Sequence, residues 1–349
     1  MVEQLATEIR WQDRRFRVPI ERIVLSEELG YDAVFTAEGH GSDALTPLGY
    51  VAARTRRLKL GTRIIQVTGR PPGAAARGLM TLEHMAGRGR VIAGLGSASP
   101  QVAEGLMGQP WGKPVARMRD YVAILRQAFA GEPLNYQGRA LSVPVPGGTT
   151  APVAIDLEPT PEIPIIVSAS GPQMIRLSAE IGDGFMPSFF APGMMGPIDR
   201  ILDEGFARSK KPDPRKGFQV WGHVDMLVDD DVRAAMRPFK EYTVRWADMQ
   251  REFIAARGYP DLADRLVELS AAGRTEEAVN AVPDEYIDGG WLVGPVDRIR
   301  ERVRPWLDSE LTGLIVRYGA QVGEDRSEAP ENLDAFRAVA EAAGRVRRR

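Results

Sequence analysis

Short apolar runs alternate along the chain with longer stretches in which apolar residues recur every three or four positions. The short runs are typical of buried strands, and the longer stretches are typical of amphipathic helices. The runs predict eight strands, at Leu5–Trp11, Asp32–Ala37, Arg57–Val67, Arg90–Gly96, Ile163–Ala169, Gly184–Phe189, Phe218–Val228 and Leu311–Gly319. Helical stretches follow these strands, and an Ala-rich helix over Leu333–Val346 closes the chain.

Eight strand–helix units without a break in composition favour an α/β fold, a single (β/α)8 TIM barrel over residues 1–349. A doubly wound sheet is the alternative, and it would need a reversal of strand order. Two stretches exceed the minimal repeat. Residues 132–162 are rich in Pro, Gly and Thr and predict an insertion loop, whereas residues 229–292 predict a mostly helical insertion. Loops this long in a compact domain are commonly functional.

Composition and charge exclude several classes of function. The 349 residues include 45 Lys and Arg against 47 Asp and Glu, which gives no electrostatic reason to expect nucleic acid or an anionic membrane as a partner. The absence of cysteine excludes disulfides and a thiolate nucleophile, and three histidines argue against a metal centre. Since there is neither a signal pattern nor a membrane-length apolar run, we expect a cytoplasmic enzyme that acts on a small molecule.

The carboxyl ends of four predicted strands consist mostly of small residues, and ligands of a parallel barrel bind at such ends. They read TAEGHGSD at 36–43, RIIQVTGRPP at 63–72, GLGSASP at 94–100 and SASGPQ at 168–173. Small residues let a flat ligand lie against the main chain, although each glycine taken alone also fits a tight turn. A dinucleotide fingerprint would need a third glycine where the chain has Ser99.

The segment at residues 168–173 also predicts an anion site. Pro172 stands in the first turn of a predicted helix, directly after Ser170 and Gly171. The free amides of a helix N-terminus, together with the helix dipole, bind anions such as phosphate. The four strand ends together therefore favour a ligand that has one phosphate and one broad planar group.

Three segments of the chain resemble the bacterial-luciferase-like superfamily, and within it the oxidoreductases that use the deazaflavin coenzyme F420. They are the stretches from ELGYDAVF to RIIQV at 28–67, GRVIAGLGSASPQVAEG at 89–105 and IVSASGPQMIRLSAEIGDGFMPSF at 166–189. Residues 282–317 are similar to the same group. The resemblance implies a (β/α)8 barrel with the coenzyme at the carboxyl ends of the strands. It also implies a cis peptide bond near Arg63–Ile64 that backs the ring system.

The resemblance implies roles for residues at the strand ends. Glu38 would lie beside the ring edge, and the Ser170 and Gly171 amides would bind the coenzyme phosphate. The complete set of cofactor-binding residues predicted in this way is Glu38, Arg63, Ile64, Gly94, Leu95, Gly96, Ser97, Ala169, Ser170, Gly171 and Pro172.

Two departures from the family pattern concern catalysis. Several members place a histidine directly after the acidic residue of the second strand, where this chain has Gly39 followed by His40. A shift of one residue turns a side chain to the other face of an extended segment. His40 therefore either faces the substrate or caps a turn, and we predict Glu38 and His40 as the catalytic candidates. Ser97 stands where some sugar-phosphate-oxidising members have a glutamate, which argues against such a substrate.

His223 lies in the middle of the seventh predicted strand, on the same face as Trp221. It is either a hydrogen-bonded structural histidine or a residue beneath the pocket. Tyr318, at the end of the eighth predicted strand, is a third candidate proton donor beside His40 and water.

The resulting hypothesis is a coenzyme F420-dependent oxidoreductase that transfers a hydride between deazaflavin C5 and a small organic substrate. The alternative within the superfamily is a reduced-FMN-dependent monooxygenase that acts with molecular oxygen, since FMN shares the ring and the phosphate. A second alternative is a non-catalytic barrel that acts as a binding protein. A homodimer is expected only by analogy with relatives.

Overall fold

Parallel strands form a closed barrel in the computed structural model, which describes residues 2–10, 16–319 and 328–346. Within these residues the strands are β1 (Gln4–Ile9), β2 (Ala33–Thr36), β3 (Lys59–Thr62), β4 (Ile65–Gln66), β5 (Val91–Gly96), β6 (Tyr136–Gln137), β7 (Ser142–Val143), β8 (Ile165–Ala169), β9 (Gly184–Pro187), β10 (Gln219–Val228), β11 (Leu292–Gly294) and β12 (Gly313–Tyr318). The barrel order is β1-β2-β3-β5-β8-β9-β10-β12, and β12 pairs with β1 to close it. The predicted (β/α)8 barrel is therefore confirmed.

Helices surround this barrel, and five of those in the described residues have proline as their first residue, at Pro72, Pro100, Pro114, Pro172 and Pro330. Proline is favoured there because the first amide of a helix has no intrahelical partner. The helices in the described residues are α1 (Ile20–Glu28), α2 (Leu45–Ala52), α3 (Pro72–Ala86), α4 (Pro100–Gly105), α5 (Pro114–Phe129), α6 (Pro172–Ile181), α7 (Met195–Phe206), α8 (Val232–Arg245), α9 (Arg251–Ala256), α10 (Leu262–Ala271), α11 (Thr275–Ala281), α12 (Asp284–Asp288), α13 (Val296–Arg302), α14 (Arg304–Leu307) and α15 (Pro330–Ala342).

Alternate residues of the strands fill the interior of the barrel. The buried interior cluster consists of Ala6, Ala33, Phe35, Ile92, Ile166, Met186, Trp221 and Ile315. The Trp221 ring meets the Phe35 ring edge-on, with 5.0 Å between centroids. Side chains alternate along a strand, so the residues two positions after Ala6, Trp221 and Ile315 lie on the same face but closer to the carboxyl end of the barrel. These residues are Glu8 on β1, His223 on β10 and Arg317 on β12.

The structure refines the predicted strand boundaries in two places. The single strand predicted over Arg57–Val67 is divided into β3 and β4 by a cis peptide bond between Arg63 and Ile64, as the resemblance implied. Sequence reasoning missed β11, which lies at the end of the stretch read as helical, and the β6–β7 hairpin within residues 132–162. Strands of two or three residues are too short to show a periodic pattern.

Helices α8 to α12 lie between β10 and β11 and have a core of their own. Phe239, Tyr286 and Trp291 are among its buried aromatic residues, and the Phe239 and Trp291 rings are 5.6 Å apart. β10 pairs with β9 only at its first two residues, whereas its last three residues pair with β11. The upper part of β10 therefore carries α8 and the segment before β11 over the mouth of the barrel.

Candidate functional site

A cavity of about 230 Å³ lies at the carboxyl end of the barrel, between the strand ends and helix α8. Strand ends supply most of its polar side chains, and the aromatic side chains come from α8 and from the residues next to β9 and β11. The lining residues are Arg10, Arg63, Ser188, Phe189, His223, Asp225, Phe239, Tyr242, Trp291 and Arg317.

Strand alternation explains why charged side chains meet here. Ala6 on β1 belongs to the interior cluster, so Glu8 and then Arg10 follow it on the same side. In the same way, Arg317 follows Ile315 on β12. Each strand thus presents an apolar residue to the middle of the barrel and a charged residue to its carboxyl end.

Ion pairs join the charged residues into one cluster. Arg63 Nη1 donates to Glu8 Oε2 at 3.0 Å, and the Glu8 side chain is only 1% exposed. Asp225 accepts from two arginines, Arg10 Nη1 at 2.9 Å on Oδ1 and Arg317 Nη2 at 2.5 Å on Oδ2. Three guanidinium groups therefore share two carboxylates.

The three arginines differ in how well their charge is compensated. Burial lowers the pKa of Arg63 to about 10, although Glu8 opposes that effect. Burial and then the neighbouring Arg317 lower the pKa of Arg10 as well. Burial also acts on Arg317, but Asp225 and Glu8 outweigh it and raise the pKa of Arg317. All three side chains are cationic at neutral pH, since arginine titrates far above it.

His223 is held in one protonation state and one tautomer by this cluster. Burial, followed by Arg317, Arg63 and Arg10, lowers the pKa of His223 well below its ordinary value, so the ring is neutral at pH 7. Its Nδ1 lies 2.6 Å from Arg63 Nη2, and a guanidinium can only donate. Nδ1 is therefore the acceptor, and the ring proton is on Nε2. His223 can donate a hydrogen bond at neutral pH without carrying charge.

The glycines at the end of β5 are explained by neighbouring protein atoms. A Cβ on Gly94 would lie 1.8 Å from the carbonyl oxygen of Thr62, and a Cβ on Gly96 would lie 2.7 Å from the Ile64 side chain. Thr62 Oγ1 also donates to the Gly94 carbonyl at 2.8 Å and accepts from the Gly94 amide at 2.9 Å. The close approach that the GLG sequence indicates is therefore made by the end of β3, and contact with a coenzyme stays a prediction.

Glu38 lies just after β2 and its carboxylate is engaged by protein donors. Oε1 accepts from Arg70 Nε at 3.0 Å and from Arg70 Nη2 at 2.8 Å, and Oε2 accepts from the Gln66 amide at 3.0 Å. Arg70 also reaches Asp43 at 3.3 Å. Glu38 thus links the loop after β2 to β4 and α3, and its predicted catalytic role stays a prediction.

The other predicted residues occupy varied environments. His40 is exposed in the loop after β2 and does not line the cavity. Leu95 is fully buried in the main core, and Ser97 is half-buried directly after β5. Tyr318 lies in the main hydrophobic core, on the opposite face of β12 from the cavity-lining Arg317.

The N-terminus of α6 opens to solvent at the same end of the barrel. Ser170, Gly171 and Pro172 are exposed, and a Cβ on Gly171 would meet nothing within 4 Å. The first amides of a helix lack intrahelical acceptors. The amide of Ser188, which lines the cavity, donates to the carbonyl of Ala169 at 3.1 Å. The arginine-lined cavity and this helix terminus are therefore adjacent.

A second cavity, of about 860 Å³, adjoins the α6 terminus on its other side. It lies between the start of α5 and the β6–β7 hairpin, and Gln173 of α6 is part of its wall. Lys113, Arg119 and Arg139 line it, and the Glu180 carboxylate holds Arg119 through two hydrogen bonds. The predicted Pro/Gly-rich loop thus contributes side chains to this end of the barrel.

The sequence interpretation missed Glu8, Arg10, Asp225 and Arg317, although a signal was present. Charged residues alternate with apolar ones at the ends of three otherwise apolar strands, in TEIR, GHVD and IVR. A charged side chain on the buried face of a strand is rare unless it is paired. This alternation of charged and apolar residues predicts that the charged side chains form a buried, paired cluster.

The described residues contain no group of three or more His, Asp or Glu side chains arranged to hold a metal ion. None of the helices in these residues combines the length and the apolar character that a transmembrane helix requires.

Comparisons with known proteins match almost the whole chain. The family model described as luciferase-like monooxygenase matches residues 5–312. A Mycobacterium tuberculosis protein named as a coenzyme F420-dependent oxidoreductase is 37% identical over 318 residues, which cover 86% of this chain and 90% of that protein. The 5,10-methylenetetrahydromethanopterin reductase of Archaeoglobus fulgidus is 26% identical over 328 residues, covering 88% and 90%.

A solved structure has the same fold at low sequence identity. The coenzyme F420-dependent tetrahydromethanopterin reductase of Methanopyrus kandleri superposes with a TM-score of 0.76, covering 98% of each chain at 18% identity. The fold is therefore shared along the full length of both chains.

Proposed function

Because the chain belongs to the luciferase-like monooxygenase family, we propose that it transfers a hydride between C5 of coenzyme F420 and a small organic substrate. It is an F420-dependent oxidoreductase, the activity by which the Mycobacterium tuberculosis relative is named. The observation that carries the proposal is the adjacency of an open helix N-terminus and a cationic cavity at the carboxyl end of the barrel, joined through the Ser188–Ala169 hydrogen bond.

The helix terminus fits the phosphate of the coenzyme. The amides of Ser170 and Gly171 stand at the start of α6, Gly171 has open space around it, and Pro172 fixes the first turn. The partial positive charge of a helix N-terminus favours a phosphate there. We assign the phosphate to this site, with Ala169 as its buried support.

The ends of β3 and β5 fit one face of a flat ring. Ile64 packs against Gly96, Gly94 packs against the carbonyl of Thr62, and Leu95 anchors the strand in the core behind them. We propose that this surface, with Arg63 and Ser97 at its margins, supports the ring system. Glu38 would act by fixing the neighbouring loop through Arg70.

We propose that the second cavity holds the acidic tail that coenzyme F420 carries beyond its phosphate. Lys113 and Arg139 line the same cavity as Gln173 in the first turn of α6, so this cavity offers cationic side chains close to the proposed phosphate site. The positive charges of these side chains would attract an anionic tail and guide it along the β6–β7 hairpin.

When bound in its reduced form, the coenzyme supplies a hydride to an electron-poor C=C, C=N or C=O bond, and the reverse reaction removes one. The protein must then hold the substrate, exclude water and place a proton donor near the second atom of that bond. His223 suits the polarisation of a substrate oxygen, because it donates from Nε2 while neutral. Tyr242 lines the same cavity, and burial raises the pKa of its hydroxyl, so it keeps a proton available.

A spectroscopic titration tests the proposal. Full-length protein is titrated with oxidised coenzyme F420, followed by its fluorescence, and in parallel with reduced FMN while oxygen consumption is recorded. We expect micromolar binding of F420. Binding of reduced FMN with oxygen uptake would instead establish the monooxygenase alternative, and no binding of either coenzyme would refute the proposal and favour a non-catalytic barrel.

A charge variant tests the phosphate site. Gln173→Glu adds one negative charge to the first turn of α6 with almost no change in shape. The helix dipole stabilises that charge by about 0.3–1 kcal/mol, so the fold should be retained or improved, whereas binding of F420 should weaken about tenfold through repulsion. The neutral control, Gln173→Asn, should bind F420 like the wild type. Equal affinities in both variants would place the phosphate elsewhere.

A further inference from the structure

We propose that the arginine-lined cavity recognises a small, planar monocarboxylate as the substrate. This inference rests on the proposed function only where it calls the bound molecule a substrate. The charge of the cavity, its hydrogen-bond donors and its walls all favour such a ligand.

Among the described residues, the cluster carries one positive charge more than its two carboxylates neutralise. Arg10, Arg63 and Arg317 contribute three positive charges, Glu8 and Asp225 contribute two negative charges, and the His223 ring is neutral. The exposed fraction of the five charged side chains is 13% or less. An unbalanced charge in such an environment is costly unless it is paired. A single negative charge on a ligand would balance the site.

Within the part of the chain that the structure describes, the cluster also has more hydrogen-bond donors than acceptors. The Nε atoms of Arg63 and Arg317 have no partner there, but they are buried behind the wall, so the donors that face the cavity are the other N–H groups of the guanidiniums. Each guanidinium has five N–H donors and no acceptor, and its geometry matches the two oxygens of a carboxylate. The side chains of Ser188 and His223 add two further donors to the wall. A ligand made of acceptors suits this surface.

The other lining side chains are mostly aromatic, and their rings can contact a flat ligand beside the anion. Phe189, Phe239, Tyr242 and Trp291 line the side of the cavity formed by the insertion and the end of β9. Its volume, about 230 Å³, is below the range of roughly 300–1,000 Å³ that is usual for ligand pockets. The bound molecule is therefore small, on the scale of a single aromatic ring with its carboxylate.

Arg10 is the surplus cation. Arg63 has Glu8 at 3.0 Å, and Arg317 has Asp225 at 2.5 Å, so these four residues form two balanced pairs. Arg10 shares Asp225 with Arg317 and lies 4.0 Å from Glu8. Replacing Arg10 by a neutral residue would leave a balanced cluster, so Arg10 is the residue expected to confer specificity for an anion.

Calorimetric titration of the full-length protein with benzoate at pH 7.5, without coenzyme, tests the inference. Benzamide has the same shape without the charge, and acetate has the charge without the ring. We expect the wild type to bind benzoate at least tenfold more tightly than either. Arg10→Gln should reduce this preference over benzamide to less than threefold, while Arg10→Lys should retain most of it. Arg54→Gln, at an exposed position where α2 leads towards β3, is the matched control and should bind like the wild type.

The outcomes separate this inference from the proposed function. Equal affinities for benzoate and benzamide in the wild type would overturn it, and this comparison does not depend on any variant folding. Repeating the titration with protein saturated with F420 distinguishes a substrate site from a coenzyme site. Unchanged benzoate affinity supports a substrate site. Competition between benzoate and F420 would assign the cavity to the coenzyme and overturn the inference. Failure of F420 to bind, with benzoate selectivity intact, would refute the proposed function alone.

Discussion

Replacement of Gly94 by alanine should destabilise the fold itself, before any coenzyme is considered. The added Cβ would lie 1.8 Å from the carbonyl oxygen of Thr62, which is backbone and cannot rotate away. The end of β3 would have to separate from β5, and the two hydrogen bonds that Thr62 Oγ1 makes with Gly94 would be strained or lost.

The expected loss follows from these two effects. Overpacking of a rigid core typically costs about 1–3 kcal/mol, and each hydrogen bond contributes about 1 kcal/mol. Gly94→Ala should therefore lower the free energy of unfolding by about 3–5 kcal/mol, a large part of the roughly 5–15 kcal/mol that a typical protein has. The same change at Gly171, the N-cap of α6, meets nothing within 4 Å at a φ of −92°, so it should cost only the roughly 0.5–1 kcal/mol by which alanine is worse than glycine at an N-cap.

Urea denaturation of the coenzyme-free variants, followed by circular dichroism, measures both changes. A loss of less than about 1 kcal/mol in Gly94→Ala would refute the reasoning, because it would mean that β3 and β5 tolerate the extra atom. If Gly94→Ala folded normally and failed to bind F420, the glycine would serve the ring directly and not the packing of the strands.

Three further predictions concern ionisable groups. The pKa of His223 is lowered by burial and the arginines, so its ring proton resonances should not shift between pH 6 and 8 in NMR spectra; a titration midpoint in that range would contradict the neutral assignment. Burial acts to raise the pKa of Asp183, but Arg126 and an amide hydrogen bond lower it overall, so its contribution to stability is present above about pH 4 and is lost on acidification. Wild type should accordingly lose more stability than Asp183→Asn between pH 7 and 3 in urea denaturation, and parallel losses would refute this. Arg70→Met should lower the free energy of unfolding by about 1–3 kcal/mol, and combining it with Glu38→Gln should cost less than the sum of the single losses; additive losses would show that the Glu38 pair is not coupled.

The sequence was sufficient for the barrel because its strands are buried on both faces. Continuous apolar runs such as IPIIVSA and RVIAGLG are separated by amphipathic stretches, and this order leaves few alternatives to a parallel barrel. β11 was missed because Leu292–Gly294 gains its strand character from pairing with β10, which is a tertiary contact and leaves no local pattern.

The site was predicted less completely. The small residues were used to locate it, whereas the charged residues that line its cavity were overlooked. The small residues at the strand ends pointed to the end of the barrel where the arginine-lined cavity lies, but Gly94 and Gly96 are explained by close contact with Thr62 on β3 and with Ile64 just after it. Such a contact depends on the register between strands, which one sequence does not reveal. The charged residues Arg10 and Arg317 come together from opposite ends of the chain, through the pairing of β1 with β12.

A crystal structure of the protein with oxidised coenzyme F420 tests the central claim most directly. The account predicts the coenzyme phosphate at the amides of Ser170 and Gly171, the ring against the ends of β3 and β5, and the cavity around Arg10 still open for a substrate. Coenzyme density with its phosphate away from α6, or with its ring filling the cavity around Arg10, would contradict the account.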